Sequence, residues 1–391
     1  MKILHTVEFY HPSVGGMQEV VKQISERLVK LGHDVTVATT RLPERTERII
    51  NGVKIVGFGI SGNTVRGLTG EIETYREFLL TSEFDIITNF AAQQWATDIM
   101  LPLLGRIKTK KVFVPTGFSG LYLPEYKEYF ESMKSWFKQY DKNIFLSDDY
   151  RDINFARGCG IENLMLIPNG AGADEFLQKP DIDIREKRGI PKDHFLLLHV
   201  GSHTGVKGHT EALAIFEQAA IKNSTFLLIA NSFGGGGCTR QCESTAETLN
   251  LSPAGKLHNK KIIVTELSRK ETVAAYQAAD LFLFPSNIEC SPLVLFEAMA
   301  SKTPFLTADV GNSREIIKWS GAGILLPTTK DPDGFSRVEI SGSARILENI
   351  CNDPAKREAM SLSGFAAWLN HYTWEKIARD YERIYLSLLD G

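Results

Sequence analysis

The sequence predicts an α/β protein built from two doubly wound parallel-sheet units. Three observations carry this expectation. Strand-like apolar runs alternate with helical patterns along the chain, which implies βαβ repeats and a parallel sheet. The alternation restarts after IPNG, residues 167–170. A chain of 391 residues also exceeds what one hydrophobic core usually supports, which favours two domains of about 150–200 residues.

The first unit opens with MKILHTVEF as a strand, HPSVGG as a turn and MQEVVKQISERLVKLGH as a helix. Met17, Val20, Val21, Ile24, Leu28 and Leu31 recur at three- and four-residue spacing and form one apolar stripe. Gly32 is placed to end the helix, and DVTVATT follows as a β-branched strand. Strand-like runs recur at 53–58, 84–90, 110–116, 142–147 and 164–169. The second cycle reads FLLLHVG (195–201), the helix GHTEALAIFEQAA, FLLIANS (226–232), KIIVTEL (261–267), the helix RKETVAAYQAA, DLFLFPS (280–286) and FLTADVG (305–311). A last helix begins after HYT, with Thr373 placed as its N-cap. The expected division is 1–172, 173–370 and a closing helix in 371–391 that crosses back to the first unit.

Composition excludes several classes. A formal net charge of −3 with 23% charged residues offers no basic footprint for nucleic acid. The start MKILHTVEFYHP shows no signal peptide, and no apolar run approaches the roughly 18–20 residues of a membrane span. Five cysteines, an odd number in a long chain, suit a reducing compartment. The expected location is cytoplasmic, with peripheral contact at the inner membrane face as an extension.

The chemistry concentrates in SNIECSPLVLFEAMA, where Glu289 and Glu297 bracket an apolar stretch. Acids seldom enter such surroundings without partners. Ser291 reads as an N-cap and Pro292 as the first helical residue, which leaves Glu289 in a loop at a strand end and Glu297 inside the helix. Free N–H groups of a first helical turn suit phosphate, and carboxylates accept hydrogen bonds from sugar hydroxyls. Ligands of open α/β sheets sit at the carboxyl ends of strands, where this loop falls. Taken alone, Glu289 also reads as a solvated loop acid and Glu297 as a partly exposed helix residue.

The two glutamates seven residues apart, leading into EAMA and a proline, resemble the signature of retaining GT-B glycosyltransferases of the large family 4 group. The resemblance extends over nearly the whole chain. PSVGGMQEVVKQISERLVKLGHDVTVAT is similar to the family's first strand, glycine loop and helix. IPNGAGADEF resembles its seam, VGSHTGVKGH its glycine-to-lysine-glycine segment, GNSREII its following loop and YTWEKIARDYERIY its closing helix. The resemblance implies two Rossmann-like domains facing a cleft, the first on the acceptor side and the second binding a nucleotide-sugar. It implies that Gly15 and Gly16 let backbone approach the donor, although a tight turn requiring glycine explains the pair equally well. Lys207 would neutralise donor phosphates, Glu289 would contact the transferred sugar and Glu297 the ribose. The backbone of Ser291, Pro292, Leu293 and Val294 would line the diphosphate. Transfer would retain anomeric configuration, through front-face attack without a protein nucleophile. Lys207 and Glu289 would be the catalytic pair, with no cofactor and no metal.

Three positions depart from the family pattern. Ser202 stands where an arginine is usual, and it stays among the expected donor-binding residues. Thr116 stands in place of a histidine, and Gly172 in place of an aspartate. A lost arginine removes a fork-shaped phosphate donor that lysine replaces only in charge; His203 and Lys302 are candidates to compensate. The expected acceptor is a glycan, a lipid-linked sugar or a small molecule, in surface-polysaccharide or glycoconjugate synthesis. A nucleotide-sugar epimerase and a non-catalytic subunit are the alternatives.

Two weaker signals remain. FGGGGCTRQCE (233–243) holds Cys238 and Cys242 without an adjacent histidine and reads as a flexible loop rather than a metal site. LPEYKEYFESMKSWFKQY (123–140) carries aromatics at helical spacing among lysines. Core packing is the plain reading, and a face toward lipid headgroups the sharper one.

Overall fold

The computed structural model describes residues 1–231 and 237–390, apart from the side chain at position 254. The chain forms two compact units, one of residues 1–169 with 374–391, the other of residues 170–373. Both crossings fall a few residues from the expected 172/173 and 370/371 boundaries. Ala171 N donates to Tyr372 O at 3.1 Å, and Trp368 Nε1 to Ala171 O at 3.1 Å, so both connecting segments belong to the second unit.

The first unit is an eight-stranded sheet: β1 (Lys2–Thr6), β2 (Asp34–Thr40), β3 (Ile49–Ile50), β4 (Val53–Phe58), β5 (Ile86–Phe90), β6 (Lys110–Val114), β7 (Lys142–Phe145) and β8 (Leu164–Leu166). Their order is β8-β7-β6-β5-β1-β2-β4-β3, parallel except for β3 against β4. Helix α1 (Gly16–Lys30) buries Val20, Val21, Ile24 and Leu28, and Gly32 at φ 91° supplies the left-handed turn that ends it. The C-terminal helix, Trp374–Asp390, packs on α1, with Arg27 Nη2 2.7 Å from Glu375 Oε1. His5 ties three elements together: its Nδ1 lies 2.8 Å from Ser25 Oγ of α1, and its Nε2 3.2 Å from Tyr385 OH.

Helix α2 (Lys127–Phe137) carries the aromatic stripe. Tyr129, Phe130, Met133 and Phe137 are buried, as are Tyr126 and Tyr140 on either side, in one cluster with Phe113 and Phe118. The stripe is therefore spent on the core, and the reading of it as a lipid face is corrected. Exposed lysines 127, 134 and 138 occupy the outer side.

The main sheet of the second unit has six strands, β9 (Phe195–Val200), β10 (Ser224–Ile229), β11 (Lys260–Thr265), β12 (Leu281–Phe284), β13 (Phe305–Thr307) and β14 (Gly323–Leu325). They are all parallel, in the order β11-β10-β9-β12-β13-β14. β10 and β12 are buried along their whole lengths, as parallel strands covered on both faces must be. Around the sheet lie α3 (His209–Gln218), α4 (Thr239–Leu251), α5 (Arg269–Ala278), α6 (Leu293–Ala300), α7 (Ser313–Ser320) and α8 (Pro354–His371). Residues 233–236 of the expected glycine-rich loop lie outside the described residues. No helix among the described residues is long and apolar enough to cross a membrane, and no disulfide joins the cysteines.

Candidate active site

In the second unit the strand order reverses between β9 and β12, and a doubly wound sheet opens a crevice at such a point. The loop after β9 (residues 201–208) and the loop after β12 (residues 285–292) meet there. Asn287 N donates to Val206 O at 3.0 Å, and Ser286 Oγ lies 3.3 Å from the same oxygen. Gly208 lies at φ 73°, and a Cβ on it would stand 2.1 Å from Pro285 O. Only glycine lets the backbones cross so closely.

The crossing brings Lys207 to Glu289, with Nζ and Oε1 2.7 Å apart, and Ser286 Oγ donates to the same oxygen at 2.8 Å. A third loop braces this one. Gly311, at φ 55°, has room for no Cβ beside Cys290 O, Asn312 N donates to that oxygen at 2.9 Å, and Asn312 Nδ2 donates to Ser291 Oγ at 3.1 Å.

The helix start differs from expectation. α6 begins at Leu293, with Pro292 as its cap residue in extended conformation (φ −70°, ψ 116°) and Ser291 one position outside. Ser291 is therefore not the cap residue, and its hydroxyl accepts from Asn312 Nδ2. Pro292 has no N–H, and Leu295 N already donates to Pro292 O at 3.3 Å. The first-turn donors for an anion are therefore the N–H groups of Leu293 and Val294.

Glu297 is buried, and its Oε1 accepts from Arg269 Nη1 at 2.6 Å. Arg269 also pairs with both oxygens of Glu175, at 2.8 and 2.9 Å, and lies over the Phe176 ring. Sequence reading found neither Arg269 nor Glu175. They stand 94 residues apart, on elements that no local pattern links.

Neither candidate substitute for the missing arginine serves. Lys302 lies beyond the far end of α6, roughly 12 Å along the axis from its start, with Nζ over the Phe365 ring. His203 is buried, and its Nδ1 faces Cys238 Sγ at 3.4 Å. Ser202 is half-buried at the head of the Lys207 loop. The loop reading of the two cysteines weighs only residues adjacent in sequence, whereas folding gathers His203, His209, Cys238 and Cys242 from two segments.

In the first unit, Gly15 has φ 176°, which any residue can adopt, and Gly16 is helical with nothing within 4 Å of a Cβ. Neither glycine holds a left-handed turn, so the tight-turn explanation of this pair is corrected: a Cβ on Gly15 would stand 2.5 Å from Gln18 Oε1, and only Gly16 faces open space. Strain gathers on neighbouring strand ends. Ala91, Gln93, Thr116 and Phe118 hold φ of 63°, 62°, 58° and 49°, just past β5 and β6. A β-branched residue such as Thr116 rarely adopts this conformation, and strain of this kind concentrates at functional sites. Asp152 accepts from Gly117 N at 2.8 Å and so holds the 116–118 turn, while burial pushes its carboxyl up to about 6.

Comparison with known proteins agrees with this architecture. Residues 14–175 match the family described as Glycosyltransferase Family 4, and residues 181–360 match Glycosyl transferases group 1. The chain is 24% identical to an uncharacterised glycosyltransferase of Methanocaldococcus jannaschii, over 98% of both chains. It is 23% identical to a D-inositol 3-phosphate glycosyltransferase of Kineococcus radiotolerans, over 91% of this chain and 88% of that one. Sucrose-phosphate synthase of Thermosynechococcus elongatus shares its fold with a TM-score of 0.79 at 19% identity, covering 100% of this chain and 99% of that one. An Anabaena protein solved with UDP-glucose gives a TM-score of 0.72 at 16% identity, covering 99% and 100%.

Proposed function

We propose that the chain is a GT-B glycosyltransferase of family 4, as the two matched family descriptions and the shared fold support, and that it transfers a hexosyl or N-acetylhexosaminyl group from a nucleoside-diphosphate sugar with retention of configuration. The observation that carries this reading is the Lys207–Glu289 pair, set at the switch point beside the start of α6. In the reading, the donor diphosphate lies against the N–H groups of Leu293 and Val294 and draws Lys207 away from Glu289. The freed carboxylate then accepts hydrogen bonds from the transferred sugar, and Glu297 accepts them from the ribose. The diphosphate gains charge as it departs, and a preorganised ammonium and amide dipoles stabilise that charge more than they stabilise the bound donor. The same groups act without a divalent ion at the diphosphate. Attack comes from the acceptor hydroxyl on the face the diphosphate leaves, so no protein nucleophile is assigned.

Acceptor binding is proposed for the strained edge of the first unit, past β5 and β6, for a glycan, a lipid-linked sugar or a small molecule. Any approach to a membrane surface would be electrostatic, through exposed Lys127, Lys134 and Lys138, because the aromatics of α2 are buried. Thermal-shift titration with a panel of nucleoside diphosphates tests donor binding: a ligand at 100 times its dissociation constant stabilises by about 2.7 kcal/mol. Nuclear magnetic resonance of the product formed from the best donor reads the anomeric configuration. No shift with any member of the panel would overturn the proposal, and binding without donor hydrolysis or transfer would favour a non-catalytic subunit.

A further inference from the structure

Next to the Lys207 loop, four metal-ligating side chains from two separated segments converge. His203, on the loop after β9, and His209, the first residue of α3, flank Lys207, and Cys238 and Cys242 lie at the start of α4. One ligand atom from each falls within 4.8 Å of all the others. Cys238 Sγ is 3.4 Å from His203 Nδ1 and 3.1 Å from His209 Nδ1, and the two imidazole centroids are 4.9 Å apart. Zinc bonds of about 2.0–2.1 Å to nitrogen and about 2.3 Å to sulfur, at tetrahedral angles, place such atoms roughly 3.3–3.8 Å apart. The cluster needs only a small contraction to meet that geometry. Two thiolates and two imidazoles are also the donor set that selects zinc over magnesium or calcium.

The surroundings fit a built site. His203, His209 and Cys242 are buried. Binding would require both thiols to give their protons to solvent. The backbones are pressed together as well: a Cβ on Gly237 (φ 83°) would stand 1.7 Å from His203 O. A side chain there would hold Cys238 away from the histidines.

We propose that His203, His209, Cys238 and Cys242 bind one zinc ion that fixes both ends of the loop carrying Lys207. Four protein ligands close the coordination shell and leave no position for substrate, so the ion is structural. It anchors the Lys207 loop to α4 at the point where Ser202 stands in place of a fork-shaped cation. This consequence for Lys207 rests on the proposed transferase reading, whereas the zinc content does not.

The test uses the full chain, purified under reducing conditions and dialysed against metal-free buffer. Elemental analysis should find about one zinc per chain. Cobalt replacement should give the intense visible bands of a tetrahedral thiolate complex. Cys238→Ser with Cys242→Ser should lose the metal, and Cys159→Ser with Cys351→Ser should keep it. Circular dichroism guards against simple unfolding of the first double variant, and the cobalt spectrum of the unmodified chain stands even if that variant fails to fold. Zinc lost on dialysis, a cobalt spectrum without thiolate bands, zinc retained by the Cys238/Cys242 variant, or those two cysteines joined in a disulfide would each overturn the proposal.

Discussion

Replacing Glu289 by glutamine should raise the affinity for a free nucleoside diphosphate while lowering turnover. Glu289 holds Lys207 at 2.7 Å, with the two side chains 12% and 28% exposed. A diphosphate that recruits Lys207 must first break this pair. Two unit charges at that separation attract by about 1.5 kcal/mol in water and about 6 kcal/mol at an effective dielectric of 20. Solvent screening and side-chain ordering bring measured values for partly exposed pairs down to about 1 kcal/mol or less. Removing the carboxylate charge should therefore tighten diphosphate binding by up to roughly fivefold, an effect that shrinks as salt rises. Turnover should fall by ~10–150-fold, equivalent to a lost hydrogen bond of ~1.5–3 kcal/mol to a charged group at the transferred sugar. Calorimetric titration at two salt concentrations, together with transfer kinetics, separates the two effects. A Glu289→Gln chain that loses the diphosphate as badly as Glu297→Gln would refute the division of labour between the two acids.

Other outcomes follow from the same geometry. Glu297→Gln should weaken the sugar donor and the free diphosphate alike, by about 1.5–3 kcal/mol in calorimetric titration, because the ribose is common to both. Gly208→Ala combines a left-handed residue with a Cβ only 2.1 Å from Pro285 O, so it should cost upwards of about 2 kcal/mol and lower the melting temperature by roughly 4–8 °C. Burial lowers the His5 imidazole to about 3, so the folded chain keeps it neutral while the unfolded chain binds a proton below about 6.5. The stability this contributes is present above pH 6.5 and is lost as pH falls toward 3, by about 2 kcal/mol between pH 7 and 5; chemical denaturation of His5→Gln at both pH values should lack that part of the pH dependence. Transfer should persist in a chelator that strips magnesium and manganese. Activity lost there and restored by either ion would refute the metal-free diphosphate site, whereas restoration by zinc alone would point to the histidine–cysteine cluster.

The βαβ alternation, the restart after IPNG and the α1 stripe were legible in the sequence because they are local. Apolar spacing over a dozen residues fixes which face a helix buries, and β-branched runs fix strands. The position of Glu289 at a strand end was legible for the same reason. The partners of the acids were not. Lys207 and Glu289 are 82 residues apart, and Glu175 reaches Arg269 across 94, so only the order of strands in the second sheet brings each pair together. The start of α6 also escaped the pattern: the helix begins one residue later than the serine–proline signal implied, with Pro292 as its cap residue, and Asn312 from another loop donates to the Ser291 hydroxyl. Helical spacing alone favoured the core for the aromatics of α2 but left a lipid face open, until packing against Phe113 and Phe118 placed them in the core. The histidine–cysteine cluster shows the same limit: residue types and approximate positions are written in the chain, but metal-ligand geometry depends on backbones that meet only after the sheet has formed.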